Sequence, residues 1–160
     1  MAFFRKDTRS NESAAAGART LEEPMESTLA DNGGMARITF SMTGMREAAG
    51  RWLTGTVEFA GFGLQVFLED ALLKFEDVRA MGQSIWKIAD SQEGEASFEF
   101  QPHLKLRVRA PSKKSARLEV FVEFTLGTDA HATANLQTDG TFALAFVEAL
   151  ERGLEAIEDI

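Results

Sequence analysis

The sequence predicts a two-layer α+β domain, in which an antiparallel sheet of about six or seven strands carries two amphipathic helices on one face. Three observations support this. Apolar and polar residues alternate in several short runs bounded by turn residues. Two longer runs repeat apolar residues at three- and four-residue steps. The order is strands, helix, strands, helix, and the tight turns between neighbouring strands require antiparallel pairing.

Residues 1–34 differ from the rest. "TRSNESAAAGARTLEEPMESTLADNGG" is rich in Ser, Ala, Glu and Gly and poor in large apolar residues. Such a segment buries too little surface to offset chain entropy, so it is predicted to be a disordered tail. A single α+β domain over residues 35–160 follows. Two readings of the tail stay open: a flexible extension, or a stretch upstream of a translation start at Met35.

Ile38, Phe40 and Met42 alternate with Thr39, Ser41 and Thr43, which predicts the first strand. Leu53, Val57 and Phe59 mark a second. The turn signal Gly61–Phe62–Gly63 leads into a hairpin partner with Phe62, Leu64, Val66 and Leu68 on one side. The period then changes. Leu72, Phe75, Val78, Met81, Ile85 and Ile88 form one apolar stripe of a helix, with Glu69 and Asp70 in its first turn and a kink or close contact expected at Gly82. Strands follow over 95–100, 103–110 and 117–126, with a weaker edge strand over 131–138. The last helix places Phe142, Phe146, Ala149, Leu150, Leu154 and Ile157 on one face, with Thr138 or Asp139 as its N-cap.

The chain has 160 residues and no Cys, so disulfides and thiolate chemistry are excluded. Its formal net charge is -8 and its pI about 4.8, which disfavours a nucleic-acid backbone as partner and favours a basic one. The N-terminus has too few apolar residues before its charges for a secretory signal, and no run is long enough to span a membrane. The expected location is the cytoplasm.

Against this acidic background, "HLKLRVRA" sets Lys105, Arg107 and Arg109 along one side of a strand. Folding the hairpin at Pro102 puts Glu99 opposite Lys105, Ser97 opposite Arg107, and Glu95 opposite Arg109. Folding the next one across 111–117 puts Glu119, Phe121 and Glu123 opposite Arg109, Arg107 and Lys105. Facing residues must share a side, so every cation meets an acid or an aromatic ring. The cations are therefore read first as strand-pairing devices on the solvent face.

Signatures of catalysis are absent from the local sequence. His103 and His131 have no neighbours at a metal-ligand or triad spacing. The glycines form neither a dinucleotide fingerprint nor a P-loop. Glu148, Glu151, Glu155 and Glu158 follow one side of the last helix, with Arg152 the one cation among them, a solvated face or an acidic docking surface. By parity Phe67 and Phe121 point to the outer sheet face, where a large ring among charges suits a binding anchor.

The chain resembles the WapI-type immunity proteins of bacterial polymorphic toxin systems over about residues 35–157. The matching stretches are "RWLTGTVEF", "LEDALLKFEDVRAM", "GEASFEFQPHLKLRVRA" and "QTDGTFALAFVEALERGL". The resemblance implies a cytoplasmic, non-enzymatic protein that binds and neutralises a toxin domain, with no cofactor and no catalytic residues. The expected contact residues are Phe67, Lys105, Arg107, Arg109, Glu119, Phe121 and Glu123, and the second choice is Glu148, Glu151, Glu155 and Glu158. A small-molecule-binding or enzymatic domain, or an adaptor subunit of a larger assembly, remains the alternative.

Overall fold

The computed structural model describes residues 2–7, 18–69, 71, 73–100 and 102–160. In chain order the elements are β1 (Ala2–Asp7), β2 (Ala18–Ala30), β3 (Ala36–Glu47), β4 (Arg51–Gly61), β5 (Leu64–Glu69), β6 (Leu73–Lys74), α1 (Phe75–Ser91), β7 (Glu95–Phe100), β8 (Leu104–Arg109), β9 (Arg117–Thr125), β10 (His131–Asp139) and α2 (Gly140–Glu158). The α+β class and the antiparallel meanders agree with the expectation.

The strands do not form one sheet of six or seven. They form two, ordered β1-β5-β4-β3-β2 (with β6 beside β4) and β10-β9-β8-β7. Alternation shows which residues share a face but not which strands are neighbours. The 17-residue α1 spans about 25 Å, and β7 starts a new sheet beyond it instead of extending the first. One pairing is parallel, β1 with β5.

The predicted tail is also corrected. Residues 18–30 form β2, antiparallel to β3, with Ser27 and Leu29 buried and Met25 half-buried. Residues 2–7 form β1. Residues 8–17 of that segment lie outside the described residues. The alternation Met25–Ser27–Leu29 is that of a strand. A serine at its centre hides the pattern from a hydrophobicity count, and pairing with β3 and packing against α2 supply the order that composition alone does not.

The inner faces of the two sheets meet through aromatic rings. Phe59 packs on Phe124 at 6.2 Å and Phe40 on Phe100 at 6.5 Å, while Phe146 of α2 reaches Phe40 at 5.8 Å. All five rings are buried. Each helix touches strands of both sheets, α1 on β4 and β7 and α2 on β2 and β10. The outer sheet faces therefore point away from each other.

Helix α1 starts at Phe75, so Glu76 and Asp77, not Glu69, lie in its first turn; Asp70 and Leu72 lie outside the described residues. Glu69 is buried in β5. The helix runs unbroken through Gly82, where an added Cβ would lie at ordinary distance from Val147 and Leu150. It ends at Gln92 in the left-handed region, whose N–H bonds the Ile88 carbonyl. Asp139 caps α2 as expected, its Oδ1 accepting from the Phe142 N–H at 3.0 Å. Phe62, expected on the inner side, sits exposed in the β4–β5 turn with φ 52°. Gly55 in β4 has φ +155°, and a Cβ there would lie 2.0 Å from the Ser41 carbonyl oxygen. That close approach sits beside a register shift between β3 and β4.

Candidate functional site

Alternation in β8 sends Leu104, Leu106 and Val108 into the core and Lys105, Arg107 and Arg109 to solvent. The pairing follows the expected register on both sides. Glu95, Ser97 and Glu99 of β7 face Arg109, Arg107 and Lys105. Glu119, Phe121 and Glu123 of β9 face Arg109, Arg107 and Lys105. Strand β10 completes the rows with Gln137, Asn135 and Thr133 opposite Glu119, Phe121 and Glu123.

Six of the seven expected contact residues thus share the outer face of the second sheet. Phe67 does not. It lies in β5 opposite Glu58, on the outer face of the first sheet, and lines a depression that also includes Thr28, Thr39 and Thr56. Parity gave its side of a sheet correctly; the division into two sheets separated it from the rest.

Around Arg107 the face forms an open depression of about 420 Å³, lined by Ser97, Glu99, Lys105, Phe121, Glu123 and Asn135 among others. The Arg107 guanidinium lies over the Phe121 ring, 4.4 Å from its centroid. Its Nε is 3.4 Å from Oε1 of Glu95, a diagonal neighbour, and Lys105 Nζ is 3.4 Å from Glu99 Oε1. Arg109 donates from Nε to Glu119 Oε2 at 3.1 Å. Glu123 faces Lys105, and its Oε1 lies 3.9 Å from Nδ1 of His131, a pair charged only when the imidazole is protonated. Exposed pairs of this kind contribute about 0.2–1 kcal/mol each. The cations keep 44–56% of their side-chain surface exposed, so the face offers both signs of charge around one aromatic ring.

The four glutamates of the second choice separate. Glu148 and Glu155 are exposed on α2. Glu151 lines a groove of about 430 Å³ with Gln83, Trp86, Lys87 and Val147 between the two helices. Glu158 belongs to an ion cluster. Its Oε1 is 2.8 Å from Arg79 Nη2 and its Oε2 is 3.1 Å from Arg51 Nη1, while Arg51 Nε reaches Glu76 Oε1 at 2.7 Å. Both guanidiniums also lie over the Phe75 ring, at 4.1 and 4.7 Å. Hydrogen bonds from Arg79, then Arg51, hold the Glu158 carboxyl below its ordinary pKa, and Arg51 does the same to Glu76. The bonds to Glu76 and Glu158 raise Arg51 in turn.

Sequence reasoning missed this cluster, because Arg51, Arg79 and Glu158 come from three distant elements and no local spacing links them. It also missed Trp86, 48% exposed on α1. A break in the apolar stripe there was the available signal. His103 bonds the Thr125 carbonyl through Nδ1 at 3.1 Å, a strand-end contact. Among the described residues no group of three or more His, Asp or Glu is placed to hold a metal ion, and no helix is long and apolar enough to cross a membrane.

No family model and no curated protein matches the chain. Among solved structures, a crystal structure of MRP1/MRP2 from Trypanosoma brucei is similar at a TM-score of 0.46 and 6% identity, covering 85% of this chain and 86% of that one.

Proposed function

We propose that this chain is a non-enzymatic protein-binding domain of the immunity type, acting in the cytoplasm, which neutralises a cognate toxin domain by covering it with the outer face of the second sheet. The observation that carries this reading is the Arg107–Phe121 stack at the centre of the charged depression. Arginine and aromatic side chains dominate the binding energy of protein interfaces, most of all where a rim of polar groups surrounds them. The flanking acids and bases would fix the orientation of the partner and exclude wrong ones. Acidic net charge suits a basic toxin domain.

The test is a pull-down from the native host with the tagged full chain, because β2 packs against α2 and β1 pairs with β5. The captured chain is then expressed with and without the protein. Rescue of growth by the wild type, lost in Arg107→Glu and Phe121→Ala variants that keep their fold, supports the reading. Rescue undiminished in both variants rules this surface out. A captured chain that is not toxic rules out the immunity role.

A further inference from the structure

The free edge of β10 differs from those of β2 and β7. The Gln137 carbonyl accepts from the Asn32 N–H at 2.8 Å, and the Gln137 N–H donates to Asp31 Oδ1 at 3.1 Å. Both backbone groups of Gln137 therefore point away from β9, to the turn that joins β2 and β3. In an antiparallel strand this direction alternates, so the N–H and C=O of His131, Thr133 and Asn135 point the same way. The Leu126 N–H bond to the Ala130 carbonyl at 2.8 Å agrees, since it assigns the even-numbered residues to β9. Among the described residues no backbone group pairs with this edge from 131 to 135.

Natural sheets protect such edges with charges, prolines or bulges. The outer edge of β2 has an irregularity over Thr20–Met25 with Glu22, Glu23 and Pro24 inside it. Strand β7 has Glu95 and Glu99 and is followed by Pro102. The sequence of β1 is AFFRKD. From His131 to Thr138, β10 has no acid, no Lys or Arg, no proline and no shift of register.

We propose that β10 pairs with β10 of a second copy of this chain, antiparallel, about a twofold axis at Thr133. The five residues are self-complementary in this arrangement. Thr133 meets the partner copy's equivalent, His131 meets Asn135, and the small Ala132 and Ala134 meet each other. A chain of net charge -8 meets itself there without setting acid against acid along the ladder. The β2–β3 turn at Gln137 ends the pairing, so the guest strand spans residues 131–135. Two four-stranded sheets then become one of eight, with the two Arg107–Phe121 depressions on one continuous surface. A ladder this short is small against the about 1,200 Å² of a standard specific interface, so the pairing is weak and depends on concentration. The inference does not depend on the toxin reading.

Sedimentation velocity of the full chain over a concentration series tests it. The expected result is a mass that rises from monomer towards dimer, and a Thr133→Lys variant, which sets two cations face to face at the axis, that stays monomeric with an unchanged melting temperature. Because the chain has no Cys, a second experiment is clean. Facing residues of a hydrogen-bonded pair lie about 5.5 Å apart at Cα, a separation a disulfide spans. Thr133→Cys should form a linked dimer under mild oxidation much faster than Ser97→Cys on the opposite edge. A wild type that stays monomeric at every concentration, together with equal linking rates, overturns the proposal. A dimer that survives Thr133→Lys overturns it too, by placing the contact elsewhere.

Discussion

The molecule contains the same order of elements twice. Strands β2 to β5 form a consecutive meander closed by α1, and β7 to β10 form another closed by α2. The outer faces of these two meanders are built differently. On the second, charged residues alternate with the core positions, and each register step pairs opposite signs or an arginine with a ring. On the first, hydroxyl pairs lead, Thr28 with Thr39 at 3.0 Å and Thr43 with Thr54 at 3.1 Å, beside one longer ion pair, Arg37 with Glu58 at 3.8 Å. A threonine accepts any threonine as a neighbour, so these pairs hold a sheet without selecting its register. The first sheet adds backbone devices to these pairs, the second adds a row of charge pairs and an arginine–ring stack.

The largest effect is expected from Gly55→Ala. The new Cβ would lie 2.0 Å from the Ser41 carbonyl oxygen at a φ of +155°. Both atoms are tied to backbone, so β3 and β4 must separate locally. Strain and lost ladder bonds together cost several kcal/mol, at the exceptional end of about 4–5 kcal/mol for a single substitution. Chemical denaturation reads this directly. A loss below about 1 kcal/mol would mean that the bulge does not fix the register.

The core between the meanders gives the next largest effect. Phe124 is fully buried against Phe59. Phe124→Ala should cost about 3–5 kcal/mol, the usual range for a buried phenylalanine. The combination with Phe59→Ala should cost less than the sum, because each ring is part of the other's surroundings. Strict additivity would show that the two sheets are not coupled through this contact.

These differences explain what could be read from the residues. The registers of β7–β8 and β8–β9 follow from parity and the turns at Pro102 and 111–117, and they set Glu99, Glu119 and Glu123 or the Phe121 ring opposite the cations. Strand β2 was not legible, since buried Ser27 breaks its apolar alternation and Pro24 sits within it. The division into two sheets was not legible either, as nothing in the local pattern of β7 says whether its neighbour is β5 or β8 alone. The site followed the same rule. The face around Arg107 is encoded in three consecutive strands. The Glu158 cluster is assembled from elements 79 and 107 residues away.

The Glu158 cluster stitches the end of α2 to α1 and β4, and so joins the two meanders. Its carboxyls have folded pKa values below the ordinary one of about 4.3, which is also the unfolded value. Such groups stabilise the fold above the unfolded pKa and cease to do so as pH falls through the folded pKa. The wild type should therefore melt higher than Glu158→Gln near neutral pH, and the gap should close on acidification below about pH 4. A gap that persists in acid would assign the effect of the substitution to shape, not charge.

The smallest effect tests charge pairing across the second sheet. Arg109→Glu sets a carboxylate between Glu95 and Glu119, both on neighbouring strands at the same level. Loss of an exposed pair and gain of repulsion should cost about 1 kcal/mol, measured by denaturation at low salt. Adding Glu119→Arg restores opposite signs across β8 and β9 and should recover part of the loss. Added salt should shrink both differences, because these groups are exposed. On the first sheet, Thr39→Ala removes a hydroxyl pair whose partner remains open to solvent, and its cost should be independent of salt. If the charge reversal and the threonine deletion respond alike to salt, the two faces are held by the same forces and the contrast between the meanders fails.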